Sequence, residues 1–221
     1  TDFFSDPLAR GLNITLPLKN LAAQIAGNMS EEAKHLKAVN TITKIDGILS
    51  LDSTDGVGFM EDLRSKNIDI AGKNILILGA GAAVQSILYK LLKGYPNTIS
   101  ILNRSQDKAE TLVNKYVEYA NLGSSLKEDV HYDLIINGSS AGLTGEFIAP
   151  EGINFSSSTC FYDLNYSLES TPFCSWAKEH SSQVFDGIGM LVYQAAQSFK
   201  LWFGKTPSIE YIFQDIKNLN E

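Results

Sequence analysis

The 221-residue sequence is short of several things, and each shortage excludes a class of function. It has two cysteines, Cys160 and Cys174, too few for a disulfide framework and without metal-ligand spacing. The expectation is two reduced thiols, buried or half-buried, in a cytoplasmic protein. Its three histidines, His35, His131 and His180, are scattered, and neither HExxH nor any paired-histidine pattern occurs, so no metal site is expected. No apolar run approaches the ~20 residues of a membrane span, and no charged-then-apolar leader opens the chain. Positive charge is scarce: 18 Lys and Arg against 25 Asp and Glu give a net charge of −7. That balance argues against a nucleic-acid partner, which would require a cationic face to displace counterions. Internal repeats, low-complexity tracts and proline-rich linkers are also missing. What remains is globular composition, 44% hydrophobic and 19% charged, with length for one large domain or two small ones.

The middle of the chain carries the clearest pattern. Asn74–Leu78 is a largely apolar run of the kind buried on both faces in a parallel sheet. Residues 82–93 then place Val84, Ile87, Leu88, Leu91 and Leu92 at helical spacing before Gly94 and Pro96. Further strands are expected at 99–102, 133–136, 159–164 and 183–185, and further helices at 105–119 and 171–180. This alternation predicts an α/β fold with a parallel sheet and helices on both faces. The flanks differ. Strand 11–16, short helices 21–26 and 30–36, and a hairpin around Asp46-Gly47 precede the central domain, and helices 189–203 and 208–219 follow it. The chain therefore divides into a first lobe over 1–57, a dinucleotide-type domain over 58–187, and C-terminal helices over 188–221 that return to the first lobe.

Gly79-Ala80-Gly81-Ala82-Ala83 joins the first strand of the central domain to its helix. Gly79 permits a tight turn, and Gly81 lets backbone N–H groups approach a pyrophosphate at the positive end of the helix. The second strand ends Asn103-Arg104-Ser105, with Lys108 one turn on. An NAD site usually carries a carboxylate at that strand tip to accept from the ribose 2′-OH. Here Arg104 and Lys108 instead suit the 2′-phosphate of NADP, although Asp107 lies nearby. In the first lobe, Lys19 follows a proline turn and Asp55 stands at a helix start. Taken alone, these read as a surface lysine after a turn and an ordinary helix start.

Together these stretches resemble the shikimate dehydrogenase family over nearly the whole chain. The matching motifs are Asn13–Lys19 (NITLPLK), Ala38–Thr41 (AVNT), Thr54–Phe59 (TDGVGF), Leu78–Ala83 (LGAGAA), Asn103–Ser105 (NRS), Ile136–Gly142 (INGSSAG), Asp163–Tyr166 (DLNY), Thr171–Phe173 (TPF) and Asp186–Gln194 (DGIGMLVYQ). Each is modest alone, and their joint order and spacing are specific. The resemblance implies reversible, NADPH-dependent reduction of 3-dehydroshikimate to shikimate in the chorismate and aromatic amino-acid pathway. It implies two lobes, a Rossmann-type NADP-binding domain and a smaller α/β substrate lobe, in a monomer or homodimer. Carried across by residue, Lys19 and Asp55 are the catalytic pair. Thr15, Asn40 and Gln194 meet substrate hydroxyls, with Tyr166 at the cleft. Gly79, Ala80, Gly81, Ala82 and Ala83 form the cofactor loop. Asn103, Arg104, Ser105 and Lys108 grip the adenosine phosphate, and Ser139, Gly187 and Met190 complete the cofactor contacts.

The sequence departs from the family in three places. Ala82 replaces a glycine of the cofactor loop, adding a methyl beside the pyrophosphate. Ser53 stands where asparagine usually precedes Thr-Asp-Gly. Family members also carry about 50 residues ahead of the equivalent of Gly11, including a Ser-x-Ser pair for the substrate carboxylate and strands whose loss would expose sheet edge. Nothing here supplies that pair, and the expectation is a sequence that is part of a longer natural chain. Two rival readings remain. One is a quinate/shikimate dehydrogenase using NAD, against which Arg104 and Lys108 speak. The other is a non-catalytic NADPH-binding homologue, against which the presence of both Lys19 and Asp55 speaks.

Overall fold

A computed structural model describes residues 3–119, 121–139, 146–167 and 169–218. Residues 140–142 of the Ile136–Gly142 motif, and Leu219 at the expected end of the last helix, lie outside them. The chain forms two compact units, dividing between Asp62 and Leu63 and again between Gly189 and Met190. Both breaks fall inside helices, a few residues past the boundaries drawn from the sequence. Motif changes mark where an element starts, whereas the division marks where its packing partners change.

The first unit holds a four-stranded sheet. Its strands are β1 (Gly11–Asn13), β2 (Asn28–Met29), β3 (Thr41–Ile45) and β4 (Ile48–Asp52), in the order β1-β3-β4-β2. β3 pairs antiparallel with both β1 and β4, and β2 pairs parallel with β4. The β3–β4 hairpin turns on Asp46 and Gly47 at φ 50° and 79°, the pair of positive angles a two-residue hairpin requires. The helices are α1 (Lys19–Ala22), α2 (Glu31–Leu36) and α3 (Asp55–Ser65). Ser30 caps α2, its hydroxyl accepting from the Ala33 N–H at 3.3 Å. β1 ends at Asn13, three residues short of the expected 11–16; the Ile14 N–H still donates to the Asn40 carbonyl in the same register (2.7 Å), but Pro17 beyond has no N–H to carry the ladder on. α1 starts two residues earlier than expected and ends at Ala22, where Gln24 and Ile25 close tight turns onto Leu21 and Ala22. Ala22, Ala33, Val39, Ile42 and Leu51 form the core, with Phe4, Leu12, Ile14 and Met29 against it.

The second unit is built on six parallel strands: β5 (Asn74–Leu78), β6 (Thr98–Leu102), β7 (Leu122–Gly123), β8 (Leu134–Asn137), β9 (Cys160–Asp163) and β10 (Val184–Phe185). Their order is β10-β9-β8-β5-β6-β7. Counted along the chain this is 3-2-1-4-5-6 read from β7, the doubly wound order of dinucleotide-binding folds, as the alternation predicts. Ile75, Leu76, Ile77, Ile135, Ile136, Phe161 and Tyr162 are fully buried, which explains why these strands read as continuous apolar runs. Three helices connect them: α4 (Ala82–Lys93), α5 (Gln106–Asn114) and α6 (Pro172–Lys178). α5 ends five residues before the expected 119. Beyond Asn114 the hydrogen bonds shorten to Tyr116 N–Val113 O and Tyr119 N–Tyr116 O, so buried Tyr116 keeps its inward place in a turn rather than a helix. Two residues of β7 are too few to carry a periodic signal. Phe147, Phe155, Phe161, Phe173 and Trp176 interlock with ring centroids 5.1–6.2 Å apart, filling the space between β9 and α6.

α7 (Ile188–Phe203) and α8 (Glu210–Asn218) follow, α7 stopping at Gly204 with φ 67°. α7 returns to the first unit's sheet, where the Trp202 indole N–H donates to the Ile42 carbonyl at 3.0 Å. Among the described residues no helix is long and apolar enough to cross a membrane, and no group of three His, Cys, Asp or Glu is placed to hold a metal.

Cys160 on β9 and Cys174 on α6 are free and buried, and burial pushes their thiols up, to about 12 and about 11. A raised folded-state value contributes stability that is full below the unfolded thiol range and lost as pH climbs through the folded value. Alkylation of the native protein at pH 8 is therefore expected to be slow, with both thiols reacting once it unfolds. Denaturant titrations from pH 7 to 10 should show stability falling above about pH 8.5, by at most about 1.4 kcal/mol per pH unit for each thiol, with a shallower fall in Cys160→Ala.

Candidate functional site

In the first unit the hairpin places the polar residues. The β3–β4 register sets Thr41 opposite Asp52, and the Asn40 N–H donates to the Asp52 carbonyl at 3.0 Å. Asn40 therefore lies beside the turn into α3, and its Oδ1 accepts from the Thr54 N–H at 2.8 Å. Lys19 is tied to the same place, since its carbonyl accepts from the Val39 N–H at 3.0 Å. Lys19 Nζ then donates to Asp55 Oδ2 at 2.6 Å, and Asn40 Nδ2 donates to Asp55 Oδ1 at 2.8 Å. The Asp55 side chain is 9% exposed and that of Lys19 21%, so the carboxylate is nearly enclosed while Lys19 keeps part of its side chain exposed. Both carboxylate oxygens are engaged by donors, which is what a buried charge requires.

α7 supplies the remaining groups. Gln194 Oε1 lies 3.3 Å from the Thr54 hydroxyl and 3.4 Å from Asn40 Nδ2. This approach needs Gly58, because a Cβ there would stand 2.6 Å from Gln194 N and 2.8 Å from the Met190 carbonyl. One turn after Gln194, the fully buried Ser198 hydroxyl meets Thr41 Oγ1 at 2.8 Å, Asn13 Nδ2 at 2.9 Å and Thr54 Oγ1 at 3.2 Å. Lys19, Asp55, Asn40 and Gln194 are thus brought together. Thr15 is exposed on the loop before α1, and Met190 lies one turn before Gln194. The sequence reading assigned no role to Asn13, Thr41, Thr54 or Ser198. Asn13, Thr41 and Thr54 stand inside its quoted motifs, whereas Ser198 has only its four-residue spacing from Gln194.

The second unit holds a cleft of about 1080 Å³ at the carboxyl ends of β5, β6 and β8. Gly79, Ala80, Gly81, Asn103, Arg104, Ser105, Lys108 and Ser139 all line it. Gly79 is required twice over: its φ is 109°, and a Cβ would stand 2.8 Å from Gly138 C and Ser139 N. Gly81 caps α4 with no side-chain hydrogen bond, and a Cβ there would meet nothing closer than 3.9 Å. The first turn of α4, starting from Gly81 on the cleft wall, thus has no side-chain cap on its backbone N–H groups, the arrangement an anion site uses. Ala82 and Ala83 sit exposed in that turn. The loop is braced from β6, with Asn103 Oδ1 accepting from the Ala80 N–H at 3.2 Å. Arg104 and Lys108 are exposed and make no ion pair among the described residues, so their charge is available. Asp107 also lines the cleft. These features fit a dinucleotide carrying an additional phosphate. Sequence reasoning missed Phe147, Ile148 and Pro150, which add an apolar wall from a stretch with no periodic signal. Tyr166 is exposed on the loop after β9. Gly187 is packed against Leu164, its N–H donating to the Asn165 carbonyl at 3.0 Å.

Three family models match the chain: a shikimate dehydrogenase substrate binding domain over residues 1–42, shikimate/quinate 5-dehydrogenase over 62–145, and a shikimate 5′-dehydrogenase C-terminal domain over 187–212. The shikimate dehydrogenase (NADP(+)) of Vibrio campbellii is 38% identical over 222 residues, covering 98% of this chain and 80% of its own. The shikimate 5-dehydrogenase of Listeria monocytogenes, solved with shikimate and NAD, superposes with a TM-score of 0.84 at 29% identity, covering 94% of this chain and 77% of its own. That of Thermus thermophilus, solved with NADP(H) and shikimate, gives 0.81 at 29% identity, covering 96% and 80%.

Asn40 is 3% exposed, and its truncation would leave the Thr54 N–H and Asp55 Oδ1 without their partner. Asn40→Ala is expected to destabilise the fold by about 1–3 kcal/mol for each orphaned group, read as a lowered midpoint in urea unfolding.

Proposed function

The chain belongs to the shikimate dehydrogenase family, and from that premise we propose the following division of labour for the NADPH-dependent, reversible reduction of 3-dehydroshikimate to shikimate. The observation that carries it is the Lys19–Asp55 pair, an ammonium on a partly exposed side chain fixed on a carboxylate at 2.6 Å. NADPH, when bound, supplies the hydride. The ketone oxygen then needs a proton, and Lys19 Nζ holds one. Lys19 donates that proton to the oxygen as charge develops there, and in the reverse direction its amine takes it back from the hydroxyl. Asp55 orients the ammonium through Oδ2 and is itself held through Oδ1 by Asn40. Because both ends of the Asn40 amide are committed to protein groups, its part is to fix Asp55 and Thr54 rather than to bind a ring hydroxyl alone. Thr15, Gln194 and Tyr166 are the remaining candidates for the substrate hydroxyls, which can donate or accept.

On the cofactor side, Gly79 to Ala83 take the pyrophosphate at the α4 N-terminus. Arg104, Ser105 and Lys108 take the 2′-phosphate, while Asn103 and Ser139 shape the wall. Gly187 and Met190 are assigned to the nicotinamide end. The NAD-using alternative keeps one supporting observation, Asp107 in the same cleft, but two cations beside one carboxylate leave the balance with NADP. Free buried thiols are stable in the cytoplasm, where we place the enzyme, as a monomer or homodimer.

Shikimate-dependent reduction of NADP+, followed by absorbance, tests the proposal, and absence of activity alongside tight NADPH binding would instead favour the non-catalytic reading. Lys19→Ala is expected to lower kcat by about 10²- to 10⁴-fold with the fold retained. Near-normal turnover at saturating substrate and cofactor would refute the assignment. Arg104→Ala should raise KM for NADPH by about 10- to 100-fold and leave KM for NADH nearly unchanged, since only the phosphate contact is lost.

A further inference from the structure

Asp163 ends β9 and is 1% exposed, yet nothing in the chemistry above uses it. Four donors converge on it. Oδ1 accepts from Asn137 Nδ2 at 2.9 Å, from the Asn165 N–H at 3.0 Å and from Asn165 Nδ2 at 2.9 Å, and Oδ2 accepts from the Thr171 hydroxyl at 2.7 Å. Burial pushes its carboxyl up, and these donors pull it back. Enclosing a carboxylate is costly unless each oxygen is satisfied, so a site built from donors alone points to a specific task.

The task becomes visible from the other ends of the two amides. Asn137 Oδ1 accepts from both the N–H (3.2 Å) and the hydroxyl (2.7 Å) of Ser139. Asn165 Nδ2, while donating to Asp163, also donates to the Ser139 carbonyl at 3.0 Å. Ser139 is thereby clamped at its N–H, hydroxyl and carbonyl by two side chains that both hang on one carboxylate oxygen. Ser139 lines the cofactor cleft, and its N–H is the backbone against which Gly79 packs. The Asn165 carbonyl, beside the same Asp163, takes the Gly187 N–H.

We propose that Asp163 is a positioning residue for the dinucleotide. Through Asn137 and Asn165 it fixes the Ser139 peptide against the Gly79 turn, so that the wall of the cleft is formed before NADPH arrives. β8 and β9 are also joined by their own backbone ladder, from Leu134–Cys160 to Asn137–Asp163, which does not pass through the Asp163 side chain. Cofactor affinity is then the quantity that should respond, since a loosened wall has to be ordered on binding. The inference rests on the reading of this cleft as an NADPH site.

The test is equilibrium binding of NADPH to the full chain, by calorimetry or nicotinamide fluorescence, with thermal unfolding measured in parallel. If the wild-type chain binds no NADPH, the cofactor reading itself fails, which separates that failure from this one. Given wild-type binding, Asp163→Ala is expected to weaken NADPH by about tenfold or more while KM for shikimate at saturating cofactor stays within about twofold. Asp163→Asn keeps an oxygen for the two amides and should stay within about threefold of wild type. Asn165→Ala, at a half-buried loop position, removes the side-chain link from Asp163 to the Ser139 carbonyl while leaving the Asn137 link in place, and should weaken NADPH by about three- to tenfold, so it decides the matter if Asp163→Ala does not fold. Unchanged affinity in Asn165→Ala would overturn the proposal. So would a lowered melting temperature in Asp163→Ala with unchanged affinity, or an Asn variant as weak as the alanine.

Discussion

The first unit is organised around one contact, the 2.6 Å bond between Lys19 Nζ and Asp55 Oδ2. A carboxylate 9% exposed cannot be left to one partner: two charges withdrawn from water repay the loss only when their remaining lone pairs and protons are also satisfied. Asn40 supplies the second donor, and Asn40 is placed by the hairpin register. Thr54, Gln194, Thr41, Ser198 and Asn13 extend the network onto α3, α7, β3 and β1. Removing either charge strands the other. Removing Asn40 releases the end of the carboxylate that the lysine does not hold. Position and charge are therefore maintained by the same bonds, which is what proton delivery to a defined oxygen requires.

The second unit meets a different constraint. A parallel sheet sends all its strand ends the same way, so the loops after β5, β6, β8 and β9 gather along one edge, with backbone N–H groups and a helix start facing outward. Those loops have no ladder to hold them. Gly79 accepts the close approach of Ser139, Asn103 braces Ala80, and the Asp163 cluster holds Ser139 from behind. The edge also carries positive charge: the chain has a net −7, and the cleft nevertheless presents Arg104 and Lys108.

Much of this was legible in the residues. β5, the glycine loop and α4 stood out because a strand buried on both faces, a turn needing φ above zero and a 3.6-residue period leave distinct marks. The Asp46-Gly47 hairpin did so for the same kind of reason. The ends of α1 and α5 were not legible, because a chain can keep a residue such as Tyr116 inward while its hydrogen bonds change from helix to turn. Of the two-residue strands, β2 and β7 left no mark in the sequence, whereas β10 falls within the expected 183–185. Lys19 and Asp55 were picked out only through the family motifs that contain them. The groups that hold them were harder to see: Ser198 touches Asn13 at a separation of 185 residues, and no local pattern encodes such a contact. Asp163 lay inside a quoted motif, but its work is done through the far ends of two amides, visible only once the strands are paired.

The most direct test of the account is a double-mutant cycle on kcat/KM over Lys19 and Asp55, using Lys19→Met, Asp55→Asn and the pair. If the two act as one proton-delivering unit, the double variant should be about as slow as the slower single variant, with a coupling energy of about 1 kcal/mol or more. Losses that simply add would mean that the two residues contribute independently, and would contradict the account.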